Sequence, residues 1–398
     1  MKKYDVIIVG AGISGLSFAH YAAQANLKIL VLEKSLRPGG SFHTANLTKG
    51  NGNFWIELGA HTCYNSYQNL IGIMEDCGIA NEIYARAKAP FRVLAGDRIR
   101  SFTSQINFLE LLASMPRAFG KTKAGETVES YYGSILGRRN FRRIFSALFS
   151  AVPSQKADEF PADALFKKRE RRKDILKHYT MKNGLGSITD AITKEKGIEV
   201  KYGMDIRSVN KDAEGIYSIA TKDGDFESAN LAICTAVAGV GDLISSVAPE
   251  ISDKAARIKY QPIESFGVVI AREDTDLQHF AGLVPTNDDF FSAVSRDTVP
   301  DNKFRGFTFH FKPGILTKEQ KIEKVSSILR VKSNQLIEIQ EKMNIVPSLR
   351  LGHYELVNEI DALLKGKNLY LSGNYFAGLS IEDCVGRSKQ EVARMLSK

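Results

Sequence analysis

The chain has 398 residues, a net charge of +9 and 43% apolar residues. That length exceeds one simple hydrophobic core and predicts two or three interwoven domains. The composition excludes collagen-like and disordered chains, and with no run of 18 apolar residues no helix is expected to span a bilayer. The positive balance favours an anionic partner: membrane lipid, nucleic acid or an acidic small molecule. Cys63, Cys77, Cys234 and Cys384 are scattered without a CxxC pair. No metal site or disulfide framework is therefore expected, and a reducing, cytoplasmic compartment suits them. Lysines precede an apolar run at the start, but Asp5 interrupts it, so no secretory leader is expected.

The first element, YDVIIV, is a short run of the kind that forms a buried parallel strand. Gly10, Gly12 and Gly15 follow in GxGxxG spacing, with Ala11 and Ser14 between them. The first glycine permits a tight turn, the second lets a pyrophosphate approach the backbone, and the third lets helix and strand pack closely. LSFAHYAAQA then reads as a helix whose N-terminus faces the phosphates. LKILVLE is the second strand, ending at Glu33 with Lys34 after it. A carboxylate there accepts hydrogen bonds from ribose hydroxyls and repels a 2′-phosphate, which disfavours NADP. The unit is a dinucleotide site. A second glycine turn, RPGGSFHT (Arg37 to Thr44, with Gly40 and Ser41), and then WIELGAH (Gly59, Ala60, His61) suit a longer cofactor running across the domain.

Together GAGISGL, Glu33, RPGGSFHT and ELGAH resemble the start of the FAD-dependent amine oxidase superfamily, in particular its protoporphyrinogen and coproporphyrinogen oxidase branch. The similarity continues through Glu126 to Phe166, NGLGSITDAI, LAICTAVAGVGDLI and IKYQPIESFGVVI. It closes with PSLRLGHYELVNEI and NLYLSGNYFAGLSIEDCVGRSKQEVARML. The stretch from Gly282 to Lys312 follows the family pattern only faintly, and it is expected to help shape the substrate cavity.

The resemblance implies an α/β (α+β overall) fold with three parts. A Rossmann-type FAD-binding domain would comprise residues 1–84, 183–250 and 351–398. An interleaved mixed-sheet substrate domain would comprise 85–103 and 251–350, including one long helix from Lys318 to Met343. A mostly helical, basic insertion would occupy 104–182. Two basic stretches, GRRNFRRIF and FKKRERRKDILKHY, lie in that insertion. They read either as a solvated face or, with INFLELLASM upstream, as peripheral contact with the anionic inner face of a membrane. Nucleic acid is not expected, because no aromatic platform or reading motif accompanies the charge.

For the chemistry, flavin carries the redox step and no metal or protein nucleophile is needed. Arg92 matches the position of a propionate-binding arginine in the resembled family, with Arg98 and Arg100 as neighbours that compete for the role; an edge-strand surface arginine is the plain alternative. His61 is expected near the flavin, packing or hydrogen-bonding rather than acting as a base, and His353 is expected to be structural. Tyr375 and Phe376 either flank the flavin or pack in the core, with Asn374 beside them. By resemblance, Ile206 lies against the adenine, and the N–H groups of Ser380 and Ile381 aim at flavin N1 and O2. The expected substrate is a porphyrinogen, protoporphyrinogen IX first and coproporphyrinogen III second. A flavin amine oxidase, a UDP-galactopyranose mutase-like isomerase and a non-catalytic flavoprotein remain open, as does the oligomeric state.

Overall fold

The computed structural model describes residues 4–48, 54–286 and 289–397. Val6–Val9, Ile29–Leu32, Leu231–Ile233 and Leu369–Leu371 are short apolar runs, and every residue in them is buried. Strands of this kind need cover on both faces. They pair in parallel, with Ile198–Lys201 on the outside of Ile29–Leu32, in the order Ile198–Lys201, Ile29–Leu32, Val6–Val9, Leu231–Ile233, Leu369–Leu371. One face is covered by the helices Ile13–Gln24, Gln68–Asp76 and Ile381–Leu396 through Phe18, Leu70 and Val385. Helices Pro249–Ala256 and His353–Leu364 and the meander Ile206–Lys211, Tyr217–Thr221, Gly224–Ser228 cover the other, through Ile219, Ile251 and Ile360.

A second, mixed sheet runs Glu338–Pro347, Tyr260–Ala271, Phe304–Phe311, Phe290–Ser295, Gly282–Pro285, Phe91–Ala95, Arg98–Ser101. Its side chains alternate between two environments. Phe307, Phe309, Phe311 and Leu94 point toward the helix Lys318–Leu329. The opposite face meets the nucleotide-binding layer, where Val269 packs on Ile56 and Leu58. The helices Phe108–Ser114, Val128–Leu136 and Ser146–Ala151 gather with Phe141, Phe145, Phe149 and Phe160 beside this sheet.

Two expectations need correction. The helix expected from Lys318 to Met343 ends at Leu329, where Arg330 turns left-handed (φ 57°), and Glu338–Pro347 is a strand. That strand gains a ten-pair ladder with Tyr260–Ala271, and long-range pairing outweighs local helical spacing. The second basic stretch is not helical either. It runs as an irregular strap over the nucleotide layer, tied by Arg169 to Asp383 (2.8 Å) and by Arg172 to Glu75 (2.8 Å), with Asp174 of the strap itself also on Arg172 (2.5 Å). His178–Met181 then joins a small sheet between Cys63–Tyr64 and Ile83–Ala85.

Candidate functional site

The nucleotide end is built around backbone. Gly10 has φ 102°, and a Cβ on Gly15 would lie 1.9 Å from the Gly10 carbonyl oxygen, so the helix can start this close to the strand only with glycine there. A Cβ on Gly12 would meet nothing within 4 Å, leaving open space over the loop for a pyrophosphate. The second glycine turn is strung to the first, since the Gly39 N–H donates to the Ala11 carbonyl (2.7 Å). Arg37 holds that turn by donating to the carbonyls of Pro38, Gly40 and Phe42. The Glu33 carboxylate accepts from the Ala11 N–H (2.7 Å) and the Ser35 N–H (2.8 Å), and so closes the loop while keeping lone pairs for hydroxyl donors. Ser14 is buried in the first turn of the helix. Ile206 follows a segment whose Met204 N–H donates to the Glu33 carbonyl, which brings it beside the ribose acid. The Lys34 side chain is exposed and faces Asp205 (3.5 Å).

Across the interface with the mixed sheet lies an open cleft lined by Trp55, Glu57, His61, Arg86, Thr180 and Arg296, among others. Residues 294–296, 298–299 and 306–308 of the faintly matching stretch form one wall. The Arg296 guanidinium lies over the rings of Phe54 (4.2 Å) and Trp55 (4.6 Å), and burial pushes it down to about 10, so it stays charged at neutral pH. Arg86 donates to Thr298 Oγ1 (3.0 Å) and reaches the His61 carbonyl (3.4 Å). Among the described residues, Arg296 Nε and Thr180 Oγ1 are buried without a protein partner. Burial, then Arg86, lower His61 to about 4, so its ring is neutral. A carbonyl can only accept, so the contact to Gly59 O (3.2 Å) puts the proton on Nδ1 and leaves Nε2 as an acceptor. Glu57 is pushed the other way, up to about 7 by burial, against hydrogen bonds from the Leu185 N–H and Thr44.

The structure moves three expected site residues. Arg92 shares a face with Leu94, which packs under the helix Lys318–Leu329, and it donates to Gln278 (3.0 Å). It therefore points away from the cleft, and strand alternation decides the matter. Arg98 and Arg100 are exposed on the edge strand. Tyr375 is 1% exposed and packs with Phe376 in the core, so its ring presents no open surface; its carbonyl takes a contact from His353 Nε2 (2.8 Å). The Ser380 N–H is taken by Asp383 Oδ2 (3.2 Å) in a capping box, which leaves the Ile381 and Glu382 N–H groups in the first turn of the last helix outside that box. Asn374 is half-buried just before that block.

Sequence reasoning missed Arg86, Arg296, Glu57 and Lys342. Each is a single residue in an ordinary-looking strand or turn. Only the meeting of the sheet face with the two flavin-side turns brings them together. Elsewhere, His20, Cys77 and Glu195 bring ligand-type atoms within 4.8 Å of one another behind the helix Ile13–Gln24, where His20 bonds Glu195 and Asp76.

Comparison with known proteins agrees with this arrangement. The family described as flavin containing amine oxidoreductase matches residues 13–279. Chloroplastic protoporphyrinogen oxidase of Nicotiana tabacum is 22% identical over 96% of this chain and 84% of its own length. Pseudooxynicotine dehydrogenase of a Pseudomonas species is also 22% identical, over 75% of this chain and 65% of its own. Among solved structures, a provisionally named protoporphyrinogen oxidase of Exiguobacterium sp. 255-15 superposes with a TM-score of 0.79 at 15% identity, covering all of both chains. Reduced UDP-galactopyranose mutase gives 0.73 at 15% identity, over 99% of this chain and 96% of that one. The open backbone over Gly12, the Glu33 carboxylate and the second glycine turn fit FAD. The chain belongs to the flavin containing amine oxidoreductase family and is an FAD-dependent oxidoreductase.

Proposed function

We propose that the protein oxidises a porphyrinogen, protoporphyrinogen IX first. The observation that carries this reading is the pair of guanidinium groups, Arg86 and Arg296, lining the cavity beside the His61 turn. Two fixed cations in a half-buried cleft suit the propionates of a large apolar ring, and a planar guanidinium can give a carboxylate two parallel hydrogen bonds. The same cations oppose the ammonium group of an amine substrate. End-to-end similarity to the tobacco enzyme supports the same reading.

FAD, when bound, supplies the hydride acceptor and passes the electrons to oxygen or another acceptor. The chain's own residues bind and orient. Arg296 and Arg86 hold a carboxylate, Thr180 Oγ1 offers a further donor, and neutral His61 Nε2 accepts a hydrogen bond from a pyrrole N–H. The Ile381 N–H, at the start of the last helix, favours negative charge near it. We also propose that Gly10, Ala11, Gly12, Glu33, Arg37, Gly40, Ser41, Gly59, Ala60 and Ile206 line the FAD path.

Anaerobic protoporphyrinogen IX should bleach the yellow protein, and air should restore the colour while porphyrin fluorescence grows above its spontaneous rate. Faster bleaching by coproporphyrinogen III would move the function to the four-carboxylate substrate. Bleaching by an amine alone would overturn the tetrapyrrole reading and leave the FAD assignment standing.

A further inference from the structure

Lys342 lies on the edge strand Glu338–Pro347, opposite Ser265. On the same face of that strand, Asn344 donates to the Leu58 carbonyl (2.8 Å) and Lys342 Nζ donates to the Gly40 carbonyl (2.5 Å). A single strand of the mixed sheet thus reaches both turns that wrap the nucleotide path. Gly40 in turn rests on Gly12, since a Cβ built on Gly40 would lie 3.2 Å from the Gly12 Cα. The amine is held one turn away from the glycine over which a pyrophosphate approaches the backbone.

This is a poor place for an ammonium in the free protein. Burial and then the Arg37 guanidinium lower its pKa to about 7, and Glu57 pulls only partly the other way. One carbonyl dipole offsets little of that cost, whereas a pyrophosphate brings two negative charges. We propose that Lys342, with Arg37, is the cationic partner of the FAD pyrophosphate, so that FAD binding takes up a proton and locks the mixed sheet onto the nucleotide layer. The inference rests on the FAD assignment and is independent of the substrate.

The groups facing the amine are Arg37 and His43 from the glycine turn and Glu57 from the hairpin behind it. Burial holds His43 near 3, so it does not titrate in the neutral range. Glu57 titrates near 7, under the field of Arg296 as well. Within the strand, Glu341 is paired with Lys318 (2.6 Å), and Glu338 accepts from Thr48 (2.8 Å). A dianion beside the amine raises its pKa. Above pH 7 binding therefore requires proton uptake, and FAD affinity falls by roughly tenfold per pH unit until the pKa of the complex is reached.

Equilibrium dialysis of FAD and of ADP-ribose against the full-length protein, from pH 6 to 9, tests this. Wild-type protein should show the slope for both ligands, because both carry the same pyrophosphate diester, which does not titrate in this range. Lys342→Met should bind both about ten- to a hundred-fold more weakly at pH 6. Lys342→Arg should keep tight binding and lose the slope, since guanidinium does not titrate in this range. A Lys342→Met protein that held FAD as tightly as wild type would overturn the proposal. So would Lys342→Arg with the slope intact, which would make Glu57 the titrating group. Weakened FAD with unchanged ADP-ribose would move the amine to the flavin and overturn the pyrophosphate assignment.

Discussion

Glu57 is a carboxyl whose environment sets a visible pH dependence. Burial holds its pKa at about 7, against an ordinary value of 4.5 in an unfolded chain. Between those values the folded state binds more protons than the unfolded one. Its contribution to stability therefore falls as pH rises from 4.5 to 7 and is flat above. The effect amounts to at most about 3 kcal/mol. Glu57→Gln, which keeps the shape without the charge, should flatten thermal unfolding midpoints over that window; an unchanged slope would assign the titration elsewhere. Arg296 gives a second prediction. Arg296→Leu should keep the apolar contact with Phe54 and Trp55 but remove the proposed carboxylate anchor. The KM for a porphyrinogen should rise about ten- to a hundred-fold with kcat little changed, because the anchor binds ground and transition states alike. A fall in kcat at constant KM would contradict the anchoring role. The residues legible in sequence were those whose job is local: glycines at fixed spacing and an acid at the end of the next strand. Arg296, Arg86 and Lys342 carry no local signature, because each works only against a partner from a distant part of the chain.

At the scale of elements, the start of the last helix is a small electrostatic knot. Asp383 accepts from the Ser380 N–H and hydroxyl, and it takes Arg169 at 2.8 Å and Lys167 at 3.6 Å from the strap. Asp383→Ala should cost about 1 kcal/mol through the lost cap. It should also free the strap, so trypsin should cut between Lys167 and Arg172 faster than in wild type; an equal cutting rate would mean that Arg172 alone holds the segment. The first strand and the glycine-led helix were legible because a buried apolar run and the GxGxxG spacing follow one another there. The Lys318–Met343 helix was misjudged because Lys318 to Leu329 does follow a helical period under a Thr317 capping box. Beyond Arg330 the chain still alternates charge and apolar residues in a way that suits either element. Only the partner strand Tyr260–Ala271, which no local window contains, selects β.

Across the whole molecule the +9 charge divides between ion-paired and exposed cations. On the strap, Lys167, Arg169 and Arg172 pair with carboxylates of the nucleotide layer, while Lys168, Arg171, Lys173 and Lys177 are exposed. Arg138, Arg139, Arg142 and Arg143 are exposed. Their helix is pinned to the helix Phe108–Ser114 by Glu110, which accepts from the Arg139 and Asn140 N–H groups at 2.8 and 2.9 Å. On that neighbouring segment Leu109 is 81% exposed, Leu112 63% and Phe119 89%. Exposed apolar side chains flanked by arginines are the chemistry of an interfacial helix. Among the described residues no helix is long and apolar enough to cross a membrane, so contact of this kind would be peripheral. Sedimentation with anionic vesicles should exceed that with neutral ones and fall as salt rises. Leu109→Glu with Leu112→Glu should abolish it by removing the buried area. Arg138→Gln with Arg142→Gln should weaken it by about 1 kcal/mol for each charge lost and flatten the salt dependence. Equal recovery with both vesicle types would leave the arginines as a solvated face, and the exposed leucines would then need a protein partner instead.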